Sequence, residues 1–505
     1  MLGSKFDFNS LFTLEMANNH QGSLEHGKRI VREAAAVVRQ HGVRAAIKLQ
    51  FRDLDTFIHP AYRDDKTNKH IARFLSTQLS KQEFTELLDE IRKEGMITMV
   101  TPFDEVSADL AVELDVEVIK VASCSAKDWP LLEKIASLGK PVIVSTGGMD
   151  MKEIDRLVSF LEHRYVHFAL MHCVSIYPTP EDKLQLGTIA EMRERYPDLT
   201  IGFSTHEEPE NMDAVKVAYA LGARIFERHI GVPTDAIKLN AYSSTPDQLS
   251  RWIDAAKRAA IMEGAGEHPI DAKEQEDLHS LMRGVFAKHD IGGGEVITRD
   301  DVFFAMPLQD GQLTSGQFRI GLVADKTYKA LEPVSASIHK IQLDNKTIVY
   351  DAIREVKAML NKAHIPLNTE FDLEFSHHYG LENFREVGAV IIDCINREYC
   401  KKLIIQLPGQ RHPYHHHSQK EEAFQVLYGV MEAEFDGKRR TLHPGDIAVV
   451  QRGVKHMFWT DTGTIFEEIS TTHINNDSFY DDPAIARLPR EARKTKLSNW
   501  GRHQL

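Results

Sequence analysis

The first half of the chain repeats one pattern eight times: a short apolar run followed by a longer amphipathic stretch. The runs are nearly continuous in apolar and β-branched residues, which is typical of strands buried on both faces. The stretches between them carry apolar residues at spacings of three and four, as helices packed on a sheet do. The runs are residues 11–17, 45–51, 96–103, 116–123, 141–146, 167–173, 199–205 and 224–230.

Eight strand–helix units within about 250 residues match the length of a (β/α)8 barrel. We therefore predict an α/β TIM barrel over residues 1–270. An open, doubly wound sheet is the alternative, and it is disfavoured because no glycine-rich phosphate-binding sequence follows the first run. A chain of 505 residues is also too long for one hydrophobic core, so we expect two or three domains.

Composition and charge exclude several classes of protein. The formal charge of −13 provides no positive field for the phosphates of a nucleic acid. No apolar run reaches the length of a membrane span, and residues 1–9 lack the features of a signal peptide. The four cysteines show no paired spacing, which predicts a reduced, cytoplasmic chain.

Polar residues interrupt the apolar runs where each predicted strand ends. A barrel of this class carries its reactive groups at the carboxyl ends of its strands. Any one such residue is more often a cap or turn residue, but all eight strands follow the pattern. The candidates are Glu15, Asn19, Lys48, Thr101, Lys120, Ser123, Ser145, Tyr177, His206 and His229.

These side chains are chemically coherent. The lysines and hydroxyls suit a phosphate group. His206 and His229 suit a divalent metal with positions left open for substrate. Glu15 suits a sugar hydroxyl or general acid–base work. Together they favour a phosphorylated donor and a metal-activated acceptor.

The segment EMANNHQG at 15–22 resembles the opening motif of the sialic acid synthase family. The blocks IKLQ, VTPFD, IKVASCS, VIVSTGG, CVSIYPTP, GFSTHE and ERHI follow in that family's order, over roughly residues 10 to 265. The resemblance implies a barrel that condenses phosphoenolpyruvate with a free amino sugar to give a 3-deoxy-2-keto sugar acid.

The same resemblance implies roles for individual residues. Glu15 and Tyr177 would face the acceptor sugar, with Glu15 in the catalytic group, and Asn19 would also bind substrate. His206 and His229 would bind Mn²⁺ or a similar metal that polarises the acceptor aldehyde. The residues that would bind phosphoenolpyruvate are Lys48, Thr101, Lys120, Ser123 and Ser145.

Three blocks depart from the family pattern near the acceptor. A Gly-Glu pair is replaced by Cys124 and Ser125, and a Ser-Asp-His block has Thr205 before the histidine. A Pro-Asp-His segment is replaced by residues 238–240, which read KLN. We therefore expect the same reaction type with an acceptor other than standard N-acetylmannosamine. A barrel with weak or no activity, in a chain that serves as a sugar-binding or scaffold protein, is left open.

Residues 280–340 form a turn-rich segment that includes GGGE at 292–295. The segment resembles the small antifreeze-like domain that follows the barrel in the same family. That resemblance implies a homodimer in which this domain covers the partner's site. The family's arginine before a proline is replaced here by Met306. Residues 341–368 carry a helical pattern and are interpreted as a linker.

From residue 369 to 505 the pattern changes to short alternating β stretches, which predicts a small β-barrel. Gly409, His415, His417, Glu422 and Gly429 match the first cupin motif, and HPGD with His456 matches the second. Three imidazoles and a carboxylate are ligands for Mn²⁺, Zn²⁺, Fe²⁺ or Ni²⁺.

Three further histidines of this region lie outside the predicted ligand set. His412 and His443 are interpreted as structural, and His416 is expected on the opposite face of its strand.

The third region also resembles the D-lyxose isomerases of the cupin superfamily. The resemblance rests on the spacing from His415 to Glu422, on HMFW at 456–459 and on residues 467–482. It implies Glu468 as the catalytic base and Lys420 as the group that neutralises an enediolate oxygen.

The leading hypothesis is a synthase whose cupin supplies its aldose by isomerisation. A synthase with a non-catalytic, sugar-binding cupin is the alternative.

Overall fold

The structure is a computed structural model that describes residues 6–64, 67–264, 270–338, 345–368 and 370–501. The chain divides into two compact units, Met1–Pro269 and Ile270–Leu505. The predicted boundaries at 340/341 and 368/369 lie at residues outside the described ranges, as do the two chain ends. Within those ranges, no helix is long and apolar enough to cross a membrane.

The first unit is a closed barrel of eight parallel strands in sequence order, so the predicted TIM barrel is confirmed and the open sheet is wrong. Each apolar run coincides with one strand, to within a residue or two at either end. The strands are β1 Leu11–Glu15, β2 Arg44–Phe51, β3 Ile97–Pro102, β4 Val118–Val121, β5 Val142–Ser145, β6 Phe168–Cys173, β7 Ile201–Ser204 and β8 Ile225–His229.

Helices surround the barrel, and several of them begin at local capping signals. Ser80 and Asp150 form capping boxes with Glu83 and Glu153, and Gly42 ends the first helix in a left-handed conformation. The helices are α1 Leu24–His41, α2 Leu54–Phe57, α3 Lys69–Ser76, α4 Lys81–Lys93, α5 Glu105–Glu113, α6 Trp129–Ala136, α7 Met151–Glu162, α8 Gly187–Arg195, α9 Asp213–Ala220 and α10 Pro246–Glu263.

Two apolar clusters form the core of this unit. The larger cluster joins the inward faces of the helices to the outer face of the strands. A smaller one fills the inside of the barrel near the amino ends of the strands, with Leu11, Val118 and Ile225 among its members. The interior near the carboxyl ends is therefore left to polar side chains.

The second unit begins with α11 Ala272–Leu281 and two small antiparallel sheets around their own apolar cluster. Their strands are β9 Gly284–Ala287, β10 Val296–Ile297, β11 Val302–Ala305 and β12 Leu322–Val323. The resemblance of this part to an antifreeze-like domain stays a prediction. Helix α12 Asn345–Lys362 follows it.

The rest of the second unit consists of two antiparallel sheets, one of seven strands and one of five. The strands are β13 Asp372–His377, β14 Gly388–Asn396, β15 Tyr399–Gln406, β16 Arg411–His417, β17 Glu422–Gly429, β18 Met431–Phe435, β19 Lys438–Leu442, β20 Ile447–Val450, β21 His456–Trp459, β22 Thr464–Thr471, β23 Ser478–Tyr480 and β24 Lys494–Ser498. A short helix, α13 Pro483–Ala486, precedes the last strand.

One β-rich stretch of this region is divided between the two sheets. Residues 422–435 form two strands, β17 and β18, that belong to different sheets. The break is at Gly429, whose φ is +75° and where an added Cβ would lie 2.1 Å from the Gly463 carbonyl oxygen. Only glycine tolerates both constraints, so the chain can turn there from one sheet to the other.

Gly202 on β7 provides a test of the barrel packing. An added Cβ would lie 2.7 Å from the Ile225 Cβ and 2.8 Å from its carbonyl oxygen. We expect Gly202→Ala to lower the free energy of unfolding of the first unit by about 1–3 kcal/mol, because a packed strand cannot shift freely. Calorimetric unfolding measures the effect.

Gly187→Ala is the matched control, because Gly187 begins α8 and an added Cβ there would meet no neighbouring atom within 4 Å. An equal effect of the two substitutions on the unfolding temperature would contradict this account of the barrel packing.

Candidate functional site

The strand register of the barrel brings the predicted residues to one level. Glu15 on β1 pairs with Lys48 on β2 and with His229 on β8. Residues paired across parallel strands share a face, so these three side chains point into the barrel. All three lie at or near the carboxyl ends of their strands, where the sequence predicted them to be.

A buried charge network occupies this end of the barrel. Lys48 Nζ lies 2.5 Å from Glu15 Oε2 and 2.9 Å from Glu227 Oε1. The second oxygen of Glu227 lies 3.8 Å from Lys120 Nζ, and the Ser204 hydroxyl donates to Glu227 at 3.0 Å. Both lysines and both glutamates are almost fully buried.

The network sets the charge state of its members. Burial alone would neutralise Lys48, but Glu15 and Glu227 outweigh it and raise the pKa of Lys48. Burial lowers the pKa of Lys120 to about 8, even with Glu227 nearby. Burial would raise the pKa of Glu227, but the two lysines hold it well below its usual range. The site therefore contains a cluster of fixed ions, Lys48 with its two glutamates. It also contains Lys120, a second cation that loses its proton more easily.

Hydroxyl groups surround the second lysine. Lys120 Nζ donates to Ser145 Oγ at 2.5 Å, and the Ser123 hydroxyl accepts from the Gly147 amide at 3.0 Å. Thr101 is 1% exposed, and its hydroxyl oxygen has no hydrogen-bond partner among the described residues. A buried hydroxyl without a partner is costly unless a ligand or water completes it.

Two histidines and two tyrosines form the other side of the site. The rings of His206 and His229 lie 5.4 Å apart, and Tyr177 packs on His206 with a centroid distance of 4.3 Å. The His206 Nδ1 donates to the Val174 carbonyl at 3.1 Å, which leaves its Nε2 as an acceptor. Within the described chain, Nδ1 of His229 is buried and has no partner. Burial lowers the pKa of both histidines to about 3, so both are neutral, as metal ligands must be.

The contacts of Asn19 constrain its role. The Asn19 amide donates to the Ile230 carbonyl at 2.7 Å and to the Ser243 hydroxyl at 3.1 Å. It therefore ties the loop after β1 to the loop after β8, and only its oxygen is free of these bonds. Cys124, at a position where the family pattern differs, is exposed.

Sequence reasoning missed Glu227 and Tyr242. Glu227 lies two residues before His229, so strand periodicity could have placed it inside the barrel. Tyr242 comes from a loop without a motif, and its ring lies 5.0 Å from that of His229. That contact is visible only in the folded chain.

The second unit contains a separate cluster of histidines. Side-chain nitrogens of His415, His417 and His456 all lie within 4.8 Å of one another, in a group suited to hold a metal ion. The register explains the cluster, because His415 pairs directly with His456 across β16 and β21. The two-residue spacing predicted that His415 and His417 would share a face, and the cluster agrees with it.

Backbone carbonyls orient each of these imidazoles. Nδ1 donates to Pro413 in His415, to Asp477 in His417 and to Val454 in His456, at 3.0, 2.6 and 3.1 Å. Each Nε2 is thereby left with a free lone pair. Such carbonyl contacts fix the tautomer that a metal needs, so the residues fit a divalent transition metal.

Three charged groups adjoin the histidine cluster. The Glu422 carboxylate lies 3.4 Å from His417 Nε2 and 3.3 Å from His456 Nε2, and it also pairs with Lys420. The Lys420 ammonium lies 3.0 Å from Glu468 Oε1. Although burial opposes it, Lys420 holds the pKa of Glu422 well below its usual range. The two carboxylates likewise raise the pKa of Lys420 against burial.

The remaining histidines of this region divide as follows. His443 is exposed in a turn, and the His416 ring stacks on Phe479 outside the cluster. His412, interpreted as structural, lines the same cavity as the cluster. Its Nε2 lies 3.1 Å from that of His378, which the sequence did not single out.

Comparisons with known proteins follow the two-unit division. Residues 34–268 match the NeuB family, and residues 403–469 match the cupin domain, so the predicted cupin fold is confirmed. A spore coat polysaccharide biosynthesis protein E of Chromobacterium violaceum has a solved structure that is 42% identical. The match has a TM-score of 0.64 and covers 66% of this chain and 100% of that one.

Two curated relatives each match a little over half of the chain. An uncharacterized protein of Methanocaldococcus jannaschii is 32% identical over 57% of this chain and 82% of its own length. N-acetylneuraminate-9-phosphate synthase of Homo sapiens is 28% identical over 57% of this chain and 80% of its own length.

The histidine cluster predicts a measurable metal content. We expect His456→Ala to remove one equivalent of tightly bound metal per chain, because it deletes one of three imidazole ligands. Elemental analysis after dialysis against a weak chelator measures it. His443→Ala, at an exposed histidine of the same domain, should retain the full content. Equal metal content in both variants would contradict the assignment.

Proposed function

The chain belongs to the NeuB family, as its resemblance to sialic acid synthases predicted, and we propose that its barrel condenses phosphoenolpyruvate with a free aldose. The enol carbon attacks the aldehyde carbon, water adds at the carbon that bears the phosphate, and phosphate leaves. The product is a 3-deoxy-2-keto sugar acid. A relative named as a synthase of N-acetylneuraminate 9-phosphate supports this reaction class.

The proposal rests on the buried ammonium of Lys120 and the hydroxyls at this end of the barrel. That ammonium contacts Ser145, and the enclosed Thr101 hydroxyl lacks a partner among the described residues. A phosphate would supply the acceptors that these donors need. Lys48 is already paired with two carboxylates. We therefore assign it to orient phosphoenolpyruvate, and not to neutralise the phosphate charge by itself.

The acceptor would lie on the histidine side of the site. A divalent metal held by His206 and His229 would act there as a Lewis acid toward the aldehyde oxygen. The Tyr177 and Tyr242 rings offer flat surfaces for a sugar and exclude water from the reacting carbon. Glu15, fixed by Lys48, is positioned to hold an acceptor hydroxyl.

The acceptor itself differs from N-acetylmannosamine in this proposal. Cys124, Ser125 and residues 238–240 stand where the family pattern has its Gly-Glu and Pro-Asp-His groups. The family's arginine is replaced by the exposed Met306. We further propose a cytoplasmic homodimer in which the antifreeze-like segment covers the partner's site, as the family resemblance implies.

For the cupin we propose a metal-dependent aldose–ketose isomerase that supplies the barrel with its aldose. Glu468 would move the proton between C1 and C2, and Lys420 would stabilise the developing enediolate oxygen. A metal on the three imidazoles would polarise the sugar oxygens. This pairing is chemically sensible because one site makes what the other consumes.

Thr101→Val tests the barrel without a cost in folding. The change keeps the side-chain shape and removes a hydroxyl with no partner in the described chain, so thermal stability should not fall. We expect kcat/KM for phosphoenolpyruvate to drop about tenfold or more, because one donor to a charged group is lost. Phosphate release across a panel of free aldoses with Mn²⁺ measures it.

Thr13→Val is the matched control. Thr13 is also buried, and its hydroxyl has no hydrogen-bond partner among the described residues, but it lies two residues before Glu15 on β1. It should leave phosphate release unchanged. If the metal-loaded wild-type chain releases no phosphate with any aldose, the function proposed for the barrel is refuted.

Glu468→Gln tests the cupin. The change should abolish aldose–ketose exchange, measured by deuterium wash-in at C2, while phosphate release by the barrel continues. Glu467→Gln is the neighbouring control, because that carboxylate pairs with Lys401 at 2.5 Å rather than with Lys420. If neither substitution changes any catalytic rate, the cupin is a binding module instead.

A further inference from the structure

A buried lysine without a close partner faces the cupin cavity. Lys402 on β15 is 7% exposed, and the register places it opposite Glu468 on β22. Residues opposite each other in an antiparallel pair share a face, so Lys402 lies on the face that carries the proposed base. Its Nζ lies 3.7 Å from Asp393, and no hydrogen bond joins it to another described residue.

His473 adds a second unpaired group to the same cavity. Both of its ring nitrogens are enclosed and lack hydrogen-bond partners among the residues that the structure describes. The backbone is fixed, since the His473 amide donates to Asn396 Oδ1 at 2.9 Å and its carbonyl accepts from Asn396 Nδ2 at 3.2 Å. The ring is thus held in place with one donor and one acceptor unused.

Lys494 completes a cationic wall. It lines the cavity beside Ser376, with which it pairs across β13 and β24. Its partner is Glu374, but that carboxylate also faces Arg490 at 3.8 Å and Lys496 at 3.7 Å. One negative charge is therefore shared among three positive charges.

The charges around the cavity do not cancel. Lys420 is shared between Glu422 and Glu468, which leaves one negative charge beside the histidine cluster. A divalent metal there more than offsets it. The group around Glu374 keeps two positive charges in excess, and Lys402 has only a distant carboxylate. Burial strengthens the resulting field because little water screens it.

We propose that Lys402, Lys494 and His473 form a subsite for the anionic group, a carboxylate or a phosphate, of a sugar whose hydroxyls reach the histidine cluster. An anion would accept hydrogen bonds from Lys402 and His473 and would neutralise the excess charge near Lys494. The cupin thereby selects an acidic sugar over a neutral one. The inference rests on the proposed sugar site and specifies its substrate class.

The two sources of the anion have different consequences for the chain. A sugar phosphate would be an acceptor precursor, which the cupin would prepare for the barrel. A 3-deoxy-2-keto sugar acid carries the carboxylate that the proposed barrel reaction creates. It has a carboxylate at C1 and no hydroxyl at C3, so it cannot undergo aldose–ketose exchange, and the cupin would bind it as a product without isomerising it. Both ligands share the chemistry of the subsite, and direct binding distinguishes them.

Calorimetric titration of the full, Mn²⁺-loaded chain tests the subsite. The probes are matched sets that differ at one position, such as glucose, glucuronate and glucose 6-phosphate, together with galactose and mannose series and N-acetylneuraminate. We expect at least one anionic member to bind about tenfold more tightly than its neutral counterpart. His415→Ala should abolish this signal, which assigns it to the cupin and not to the barrel.

Three substitutions locate the effect. Lys402→Gln should remove most of the preference for the anion and leave the affinity for the neutral sugar unchanged. Lys402→Arg should restore the preference, which a merely structural role of the lysine would not produce. Lys401→Gln is the matched control, because Lys401 is half-exposed and pairs with Glu467 at 2.5 Å.

Equal binding of neutral and anionic sugars, or equal effects of Lys402→Gln and Lys401→Gln, would overturn the inference. If the same preparation then isomerises neutral sugars, the proposed isomerase function of the cupin still holds. A chain that binds no metal at the cupin and no sugar of either kind would refute the proposed function of the cupin and this subsite together.

Discussion

The compensation of buried charge is the constraint on which the barrel site depends. Lys48, Lys120, Glu15 and Glu227 lie inside a barrel whose amino end is filled with apolar side chains. Removing such ions from water costs roughly several kcal/mol each unless they pair closely. The cluster pairs them without satisfying every group, since the Thr101 hydroxyl has no partner in the described chain and Lys120 keeps a lowered pKa. These incomplete contacts are what a charged substrate can complete.

The second unit also positions buried polar groups by close pairing. Here backbone carbonyls orient the three imidazoles. His417 shows how the chain achieves this, because the carbonyl of Asp477 fixes its Nδ1 while the Asp477 carboxylate accepts from the Ser418 and Lys420 amides. One residue thus orders both a proposed ligand and the turn that carries Lys420. The two units place neutral imidazoles beside paired carboxylates and lysines on unrelated architectures.

Much of this was predictable because parallel strands impose a simple geometry. The eight apolar runs marked the strands, and the polar residues that end them meet at one rim, as Glu15, Lys48 and His229 do. Glu227 was missed although it opens the ERHI block, because only the histidine of that block was interpreted as a site residue. Contacts between distant segments were also beyond sequence patterns: the Asn19 bond to Ser243 joins residues 224 positions apart. The positions of Lys402 and His473 at the cupin cavity likewise follow only from strand register and burial.

The reaction proposed for the barrel joins two substrates through a new carbon–carbon bond. Mass spectrometry of the product formed from ¹³C₃-labelled phosphoenolpyruvate, Mn²⁺ and candidate aldoses detects that bond. We expect a new sugar acid whose mass equals that of the aldose plus labelled pyruvate, with all three labelled carbons retained. Release of labelled pyruvate and phosphate with every aldose unchanged would refute the proposed reaction.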